Sequence, residues 1–263
     1  MRRLRRGTSG DRLDLKSIIE RKTMKITIVG SGHGVPEAHK KYTSILFEVD
    51  GGYYFVDAGC DIAMELADRR IPTGAVKAIF ITHPHGDHID GLYPFLSLIG
   101  WCFTGSNPEV YVPNENCAAL VHQYLGAFGL KLRPEQKLAL VKEGVVFDDG
   151  KFKVTAFATQ HCKNSYAFLI EAEGKRVLCS GDLAHPTVDF PAVDDLDAAI
   201  LEGAHFDVTD YTEIIKGKNI RSVYVNHYGN YYGRINGANF LTLQASIAPI
   251  PAELSTDGME ISL

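Results

Sequence analysis

Apolar and polar positions along this chain repeat with two periods, and the switches between them mark out its elements. Residues 25–29 form a short apolar run read as a strand, which the turn-rich Gly30-Ser31-Gly32-His33-Gly34-Val35-Pro36 closes. Ser44–Val49 and residues 53–56 are two further runs joined across Asp50-Gly51-Gly52, a hairpin signal because these residues accept positive φ. The period becomes helical over residues 61–70, where Ile62, Leu66 and Ala67 share a side. Residues 78–81 are continuous, β-branched and aromatic, and too short for a helix, which predicts a buried strand. A helix follows over Leu92–Trp101, with Pro94 tolerated in its first turn, and then a strand over Glu109–Val112. Asn114 reads as the N-cap of a helix reaching Phe128. Its Cys117, Leu120, Val121, Tyr124, Leu125 and Phe128 follow i, i+3, i+4, i+7 spacing, and Gly129 stops it.

Four strands come next, at residues 145–147, 153–159, 165–171 and 176–180. The last third alternates strands at 198–201 and 222–225 with helices near 209–216 and 238–248, and it ends on a strand at 259–263. There is no sequence repeat, low-complexity tract or linker after residue 24. The pattern therefore predicts one α/β (α+β) domain of mixed strands and interspersed helices over residues 24–263.

Composition narrows the class. The chain has 263 residues, 45% hydrophobic and 22% charged, which suits a globular domain with a substantial core. No apolar stretch approaches the roughly eighteen residues of a membrane span, and residues 13–19 are too interrupted by Asp14, Lys16 and Ser17 for a signal peptide. Five cysteines without a Cys-x-x-Cys pair argue against a disulfide scaffold, so the expected compartment is the reducing cytoplasm. Charge is uneven. Residues 1–23 hold eight Lys/Arg against three Asp/Glu, and read as a flexible basic extension; the remainder is acidic, with nineteen against twenty-nine. An acidic body argues against a long nucleic acid as the main substrate.

The chemistry is concentrated after the strand at 78–81. Thr82-His83-Pro84-His85-Gly86-Asp87-His88 places four potential metal ligands within six residues, on a loop that Pro84 and Gly86 enforce. His161, Asp182 and His227 each lie at or just past the end of another predicted strand, as His83 does. Seven ligand-type residues on four strand-end loops can converge on one rim.

This His-x-His-x-Asp-His pattern with its three later ligands resembles the metallo-β-lactamase superfamily, over residues 24–263. The resemblance implies an αββα sandwich of two mixed sheets flanked by helices. It implies two divalent metals: His83, His85 and His161 on the first, Asp87, His88 and His227 on the second, and Asp182 bridging. Asp57, in Phe55-Val56-Asp57-Ala58-Gly59, matches the aspartate that buttresses the metal loop. Imidazole and carboxylate donors without thiolate suit zinc, and also manganese or iron. A pair of such cations lowers the pKa of a shared water and stabilises the charge that develops on the group attacked. The expected enzyme is thus a hydrolase using a metal-bridging hydroxide, with Asp87 both ligating and orienting it.

The segment 30–36, with Tyr42-Thr43-Ser44, is similar to the opening of the ribonuclease Z-like branch of phosphodiesterases. As a dinucleotide fingerprint it fails, since the spacing is G-x-G-x-G and Pro36 follows. Leu201-Glu202-Gly203-Ala204-His205 resembles that branch's glutamate-to-histidine element, which implies His205 as the proton donor to the leaving group. Val225-Asn226-His227-Tyr228-Gly229 resembles its final ligand motif. Members that process tRNA insert a long arm between the third histidine and the bridging aspartate; here twenty residues separate His161 from Asp182. That spacing resembles the small phosphodiesterases of the branch, including those acting on cyclic phosphates. The expected substrate is a small phosphodiester or cyclic phosphate; no structured tRNA and no membrane is expected as a partner, and a homodimer is compatible with the pattern. The same ligands would also serve a carbon-centred hydrolase of thioesters, lactones or β-lactams. Arg234, in the tyrosine-rich 228–234 segment, is a candidate phosphate contact. His33 and His185 fall on loops that either border the site or stand apart from it, and His122 reads as solvent-facing.

Overall fold

The computed structural model describes residues 23–229 and 237–263. Residues 1–22 of the basic extension and the candidate Arg234 lie outside the described residues.

The first half of the chain supplies β1 (Lys25–Gly30), β2 (Ser44–Val49), β3 (Gly52–Val56), β4 (Val76–Phe80), β5 (Glu109–Val112) and β6 (Leu138–Leu140). The β2–β3 hairpin turns through Asp50 at φ 47° and Gly51 at φ 75°, the left-handed pair that its Asp-Gly sequence predicts. The second half supplies β7 (Gly144–Asp148), β8 (Phe152–Thr159), β9 (Ser165–Ala172), β10 (Lys175–Cys179), β11 (Ala198–Glu202), β12 (Val223–Asn226) and β13 (Ala252–Leu254), and the chain ends on β14 (Met259–Ser262). Two seven-stranded sheets result, ordered β14-β1-β2-β3-β4-β5-β6 and β13-β12-β11-β10-β9-β8-β7. Both are mixed. In the first, pairing is antiparallel as far as β3 and parallel from β3 to β6. In the second it is antiparallel from β7 to β10 and parallel onwards. The halves thus share a pairing plan that their sequences do not advertise.

Alternation of side chains across each strand sets the layers. In β4 and the residue after it, Ala78 and Phe80 face the second sheet, whereas Ile79 and Ile81 face helices. A strand buried on both faces reads as an unbroken apolar run, which is why this stretch carries no polar alternation. Between the sheets Tyr54 stacks on Phe152 at 4.0 Å, and Phe80 on Tyr111 at 5.1 Å. The outer face of the first sheet is covered by α1 (Ile62–Asp68), the one-turn α2 (Gly86–Ile89), α3 (Leu92–Trp101) and α4 (Glu115–Ala127). The outer face of the second is covered by α6 (Thr212–Lys216) and α7 (Gly237–Ile247), with the one-turn α5 (Pro186–Asp189) at its edge. This is the expected αββα sandwich. Asn114 caps α4 by accepting from the Cys117 amide at 3.0 Å, and Gly129 follows at φ 70°.

Four elements escape the periodicity. β6 and β13 have three residues each, below the length at which a pattern is visible. The metal loop, expected to be irregular, closes into the single turn α2, and α5 is hidden in a His-Pro segment. No described helix is long and apolar enough to cross a membrane.

Candidate metal centre

The seven predicted residues meet on the rim where β4, β8, β10 and β12 end. β4 delivers Thr82 and His83, and the chain then turns through α2, whose tight docking leaves no room for side chains beneath it. A Cβ on Gly59 would lie 1.9 Å from the Asp87 carbonyl, and one on Gly91 would lie 1.7 Å from that of Cys60. Main-chain bonds from Ala58 to His88 (2.8 Å) and from Gly91 to Ala58 (2.7 Å) fasten the turn to the end of β3.

Within the rim the donors sort themselves around Asp182, which is buried. Its Oδ2 lies 3.5 Å from His83 Nε2 and 3.6 Å from His161 Nε2, and His85 Nδ1 stands 3.0 and 3.2 Å from those two nitrogens. Its Oδ1 lies 3.4 Å from His88 Nε2 and 3.3 Å from His227 Nε2, and Asp87 Oδ2 is 3.6 and 3.8 Å from the same pair. Donors about 2.0–2.1 Å from a tetrahedral cation stand roughly 3.3–3.4 Å apart, so both spacings fit a metal. Among the buried atoms that find no hydrogen-bond partner among the described residues are His88 Nε2 and Asp182 Oδ1. A cation between them would satisfy both.

Three imidazoles are held in the tautomer a metal requires. Thr82 Oγ1 donates to Asp57 (2.9 Å), so it accepts from His83 Nδ1 (3.0 Å). Asp57 Oδ2 takes the Nδ1 proton of His88 (2.8 Å). Thr43 Oγ1 donates to the Gly32 carbonyl (2.8 Å) and so accepts from His227 Nδ1 (2.8 Å). Each Nε2 is left bare towards Asp182. Asp57 is therefore the strut of the metal loop, buried and bonded also to the Thr82 amide (2.8 Å).

Electrostatics point the same way. Burial would raise the Asp182 carboxyl, yet His227, His88 and His83 hold it well below the usual carboxylate range. Burial works against the His88 imidazolium too, but without a cation Asp182 and Asp57 outweigh it and push it well above its ordinary value, so that a metal would take the place of a proton on Nε2. Burial, with His88 beside it, lowers His83, and burial likewise lowers His161. The arrangement is an anionic carboxylate ringed by imidazoles: a metal-binding cluster.

His205 sits beside this cluster and half-exposed. Its Nδ1 is 3.0–3.1 Å from both oxygens of Glu202 and 3.8 Å from Asp182 Oδ2. Glu202 is buried at the end of β11 and also accepts from the amides of Leu183 (2.9 Å) and Ala204 (3.0 Å). His33, Gly34 and Val35 join His85, Asp87, His205 and His227 around an open cleft of about 240 Å³. His33 thus borders the site, packed so closely on Gly229 that a Cβ there would lie 2.0 Å from its Nε2. His185 stands apart, paired with Asp210 at 3.2 Å, and His122 is exposed as expected.

The sequence did not reveal Asp257. Its carboxylate accepts from the Ser31 amide and hydroxyl (both 2.8 Å) and the Lys41 amide (2.7 Å), pinning the 30–36 segment from the far end of the chain. Only its place in an Asp-Gly turn before β14 hinted at structure, and nothing hinted at its partners.

A family model described as Anti-Pycsar protein Apyc1 matches residues 24–231. The chain belongs to this family. It is also 35% identical over 156 residues to the "Ribonuclease Z" of Shouchella clausii (strain KSM-K16), covering 58% of this chain and 49% of that protein. The chain spans about half the length of the curated relatives it matches. Among solved structures, the metallo-β-lactamase fold protein YhfI from Bacillus subtilis superposes with a TM-score of 0.73 at 17% identity, over 92% of this chain and all of that one. A diphosphatase from the PhnP family superposes at 0.67 and 17% identity, covering 91% and 98%. The chain has the metallo-β-lactamase fold, and over 156 residues it is similar to a ribonuclease Z.

Proposed function

We propose that the protein is a dinuclear metal-dependent hydrolase, and that it cleaves a small phosphodiester or cyclic phosphate. The observation that supports this most is the Asp182 carboxylate, whose two oxygens each face a separate group of three donors. His83, His85 and His161 would hold one cation, Asp87, His88 and His227 the other, and Asp182 both. Zinc suits these donors best. Such a pair makes water a nucleophile near neutral pH and neutralises charge on the group attacked.

The chain's own residues do the rest. Asp57, Thr82 and Thr43 keep His88, His83 and His227 fixed as neutral donors. Asp87, on the cleft wall, is placed to accept a proton from the attacking water. Glu202 engages Nδ1 of His205, so the other ring nitrogen is the one that exchanges a proton with a departing alkoxide. A departing alkoxide needs that proton and a departing thiolate does not, which favours a phosphodiester over a thioester. The twenty residues between His161 and Asp182 are taken up by β9, the Glu173-Gly174 turn and β10, which supports a small substrate rather than tRNA.

A panel assay of zinc-loaded protein tests the reading, with bis-(p-nitrophenyl) phosphate, cyclic nucleotides, a thioester, a lactone and a chromogenic cephalosporin. Turnover of the phosphodiesters alone is expected. Turnover confined to the carbon-centred substrates would replace it with the alternative.

A further inference from the structure

We propose that Asp189 is a positioning residue that sets the first metal site, by tying together the two loops that carry His161 and Asp182. The inference rests on the metal-centre reading above. Asp189 ends α5, is buried, and points its carboxylate into the gap between the β8–β9 and β10–α5 connections. Oδ2 accepts from the Gln160 amide at 2.7 Å and from the Ala184 amide at 2.9 Å, and Oδ1 accepts from the His185 amide at 3.2 Å. Gln160 immediately precedes His161, and Ala184 lies two residues past Asp182. One oxygen therefore fixes the distance between two ligands that come from different loops.

The first site has particular need of such a tie. His83, His88 and His227 are each oriented through Nδ1 by a neighbour, but among the described residues no partner meets Nδ1 of His161 or Nε2 of His85. Their rings are steered by backbone and by packing on each other, with His161 4.5 Å from the His205 ring and 5.0 Å from that of His85. Thr159 and Ser165 close the His161 hairpin on itself, and Thr159 Oγ1 reaches the Asp182 carbonyl at 3.1 Å. Asp189 adds a charge-assisted tie to both sides at once, which hydroxyls cannot match in strength. Removing a group that orients metal ligands typically costs about 10–100-fold in metal affinity. Here that loss should fall mainly on the first site, because Asp182, which serves both, is held a second time through the neighbouring Leu183 amide on Glu202 (2.9 Å).

Zinc titration of metal-free protein against a competing chelator reads this directly. Wild type should show two sites. Asp189→Ala and the milder Asp189→Asn should weaken one by about 10–100-fold and leave the other within about twofold. The weakened site should be the one lost in His161→Ala, and adding Asp189→Asn to His161→Ala should change nothing further. Should Asp189→Ala fail to fold, Asp189→Asn carries the test, with amide exchange in the metal-free state as a second readout. Exchange should quicken at Gln160, Ala184 and His185 but not at Thr82. Equal weakening of both sites, no weakening of either, or unchanged exchange would overturn the role. A wild type that binds no zinc would remove the metal centre itself, and this inference with it. A wild type with two sites and indifferent Asp189 variants would remove only the inference.

Discussion

The two sheets pair their strands in the same succession, yet they use their buried carboxylates in opposite ways. β3 and β10 are equivalent, each antiparallel to the strand before it and parallel to the next. Asp57 follows β3 and acts as a strut, giving its oxygens to Thr82 and His88. Asp182 follows β10 and turns its oxygens to the proposed ligands of both metals. On the neighbouring strands the roles reverse. β4 runs into the loop that holds four donors, whereas β11 ends in Glu202, a strut for His205. On the proposed reading, one architectural position serves as ligand in one half and as strut in the other. What decides is whether its neighbours offer the carboxylate N–H and O–H groups, as Thr82 and His88 do for Asp57, or bare ring nitrogens, as they do for Asp182.

The harshest way to break this comparison is to remove Asp182, the carboxylate proposed to serve both metals. Asp182→Ala should weaken both metals and lower turnover by on the order of 10⁴-fold or more, because residues that act as a unit fail as a unit. Elemental analysis and metal titration check the first expectation, and steady-state rates the second. A variant that kept two metals would show that Asp182 is a strut like Asp57 rather than a bridge.

The same contrast explains what could be read from the chain. The first half packs four donors into residues 83–88, so its chemistry is a local word, visible without any fold. The second half spreads His161, Asp182 and His227 over three strand ends, and each becomes legible only through its position after a run of apolar residues. Several elements were equally plain: β2, α3 and β5 have the bounds that the apolar pattern predicts. The struts were harder. Glu202 was visible only through its resemblance to a family motif. Asp189 and Asp257 were invisible, because their partners are backbone amides as far as 226 residues away, and an amide leaves no mark in a sequence. The shared pairing plan of the two sheets was hidden for a related reason. It is a matter of hydrogen-bond direction, which apolar runs do not encode.

A finer comparison sets the strut of one half against the residue that the other half's strut holds. His205 is not itself an assigned ligand, although it lies beside Asp182 and His161, so both metals should still bind in His205→Ala. Hydrolysis of a substrate with an alkoxide leaving group should slow by about 10²–10⁴-fold, while a nitrophenolate substrate, which needs little protonation, should slow far less. Asp57→Ala should do the reverse. It frees the His88 ring, so metal affinity should fall by about 10–100-fold, and at saturating metal both substrate types should suffer alike. Rates on the two substrates, measured at rising zinc, separate the outcomes. Equal losses on both substrates for His205→Ala would take that residue out of the proton transfer.

The smallest effect is expected where neither half is touched. The described strands of both sheets run from Lys25 to Ser262. Met24 is fully buried in the core between the sheets, and its carbonyl accepts from the Leu263 amide at 3.0 Å, so the packed structure already closes on itself at that residue. A chain starting at Met24 should then behave as a surface change does, within about 0.5 kcal/mol of wild type. For a domain of this size that is a shift of no more than about 2 °C in Tm. Turnover should agree within about twofold, since 1.36 kcal/mol is needed for tenfold. The eight basic residues of the segment give the test its edge. If they steer an anionic substrate to the rim, kcat/KM will fall on truncation and the fall will shrink as salt is added, while Tm stays put. If they pack on the fold instead, Tm itself will drop. Either result would add a third contributor to a site that the two halves otherwise build between them.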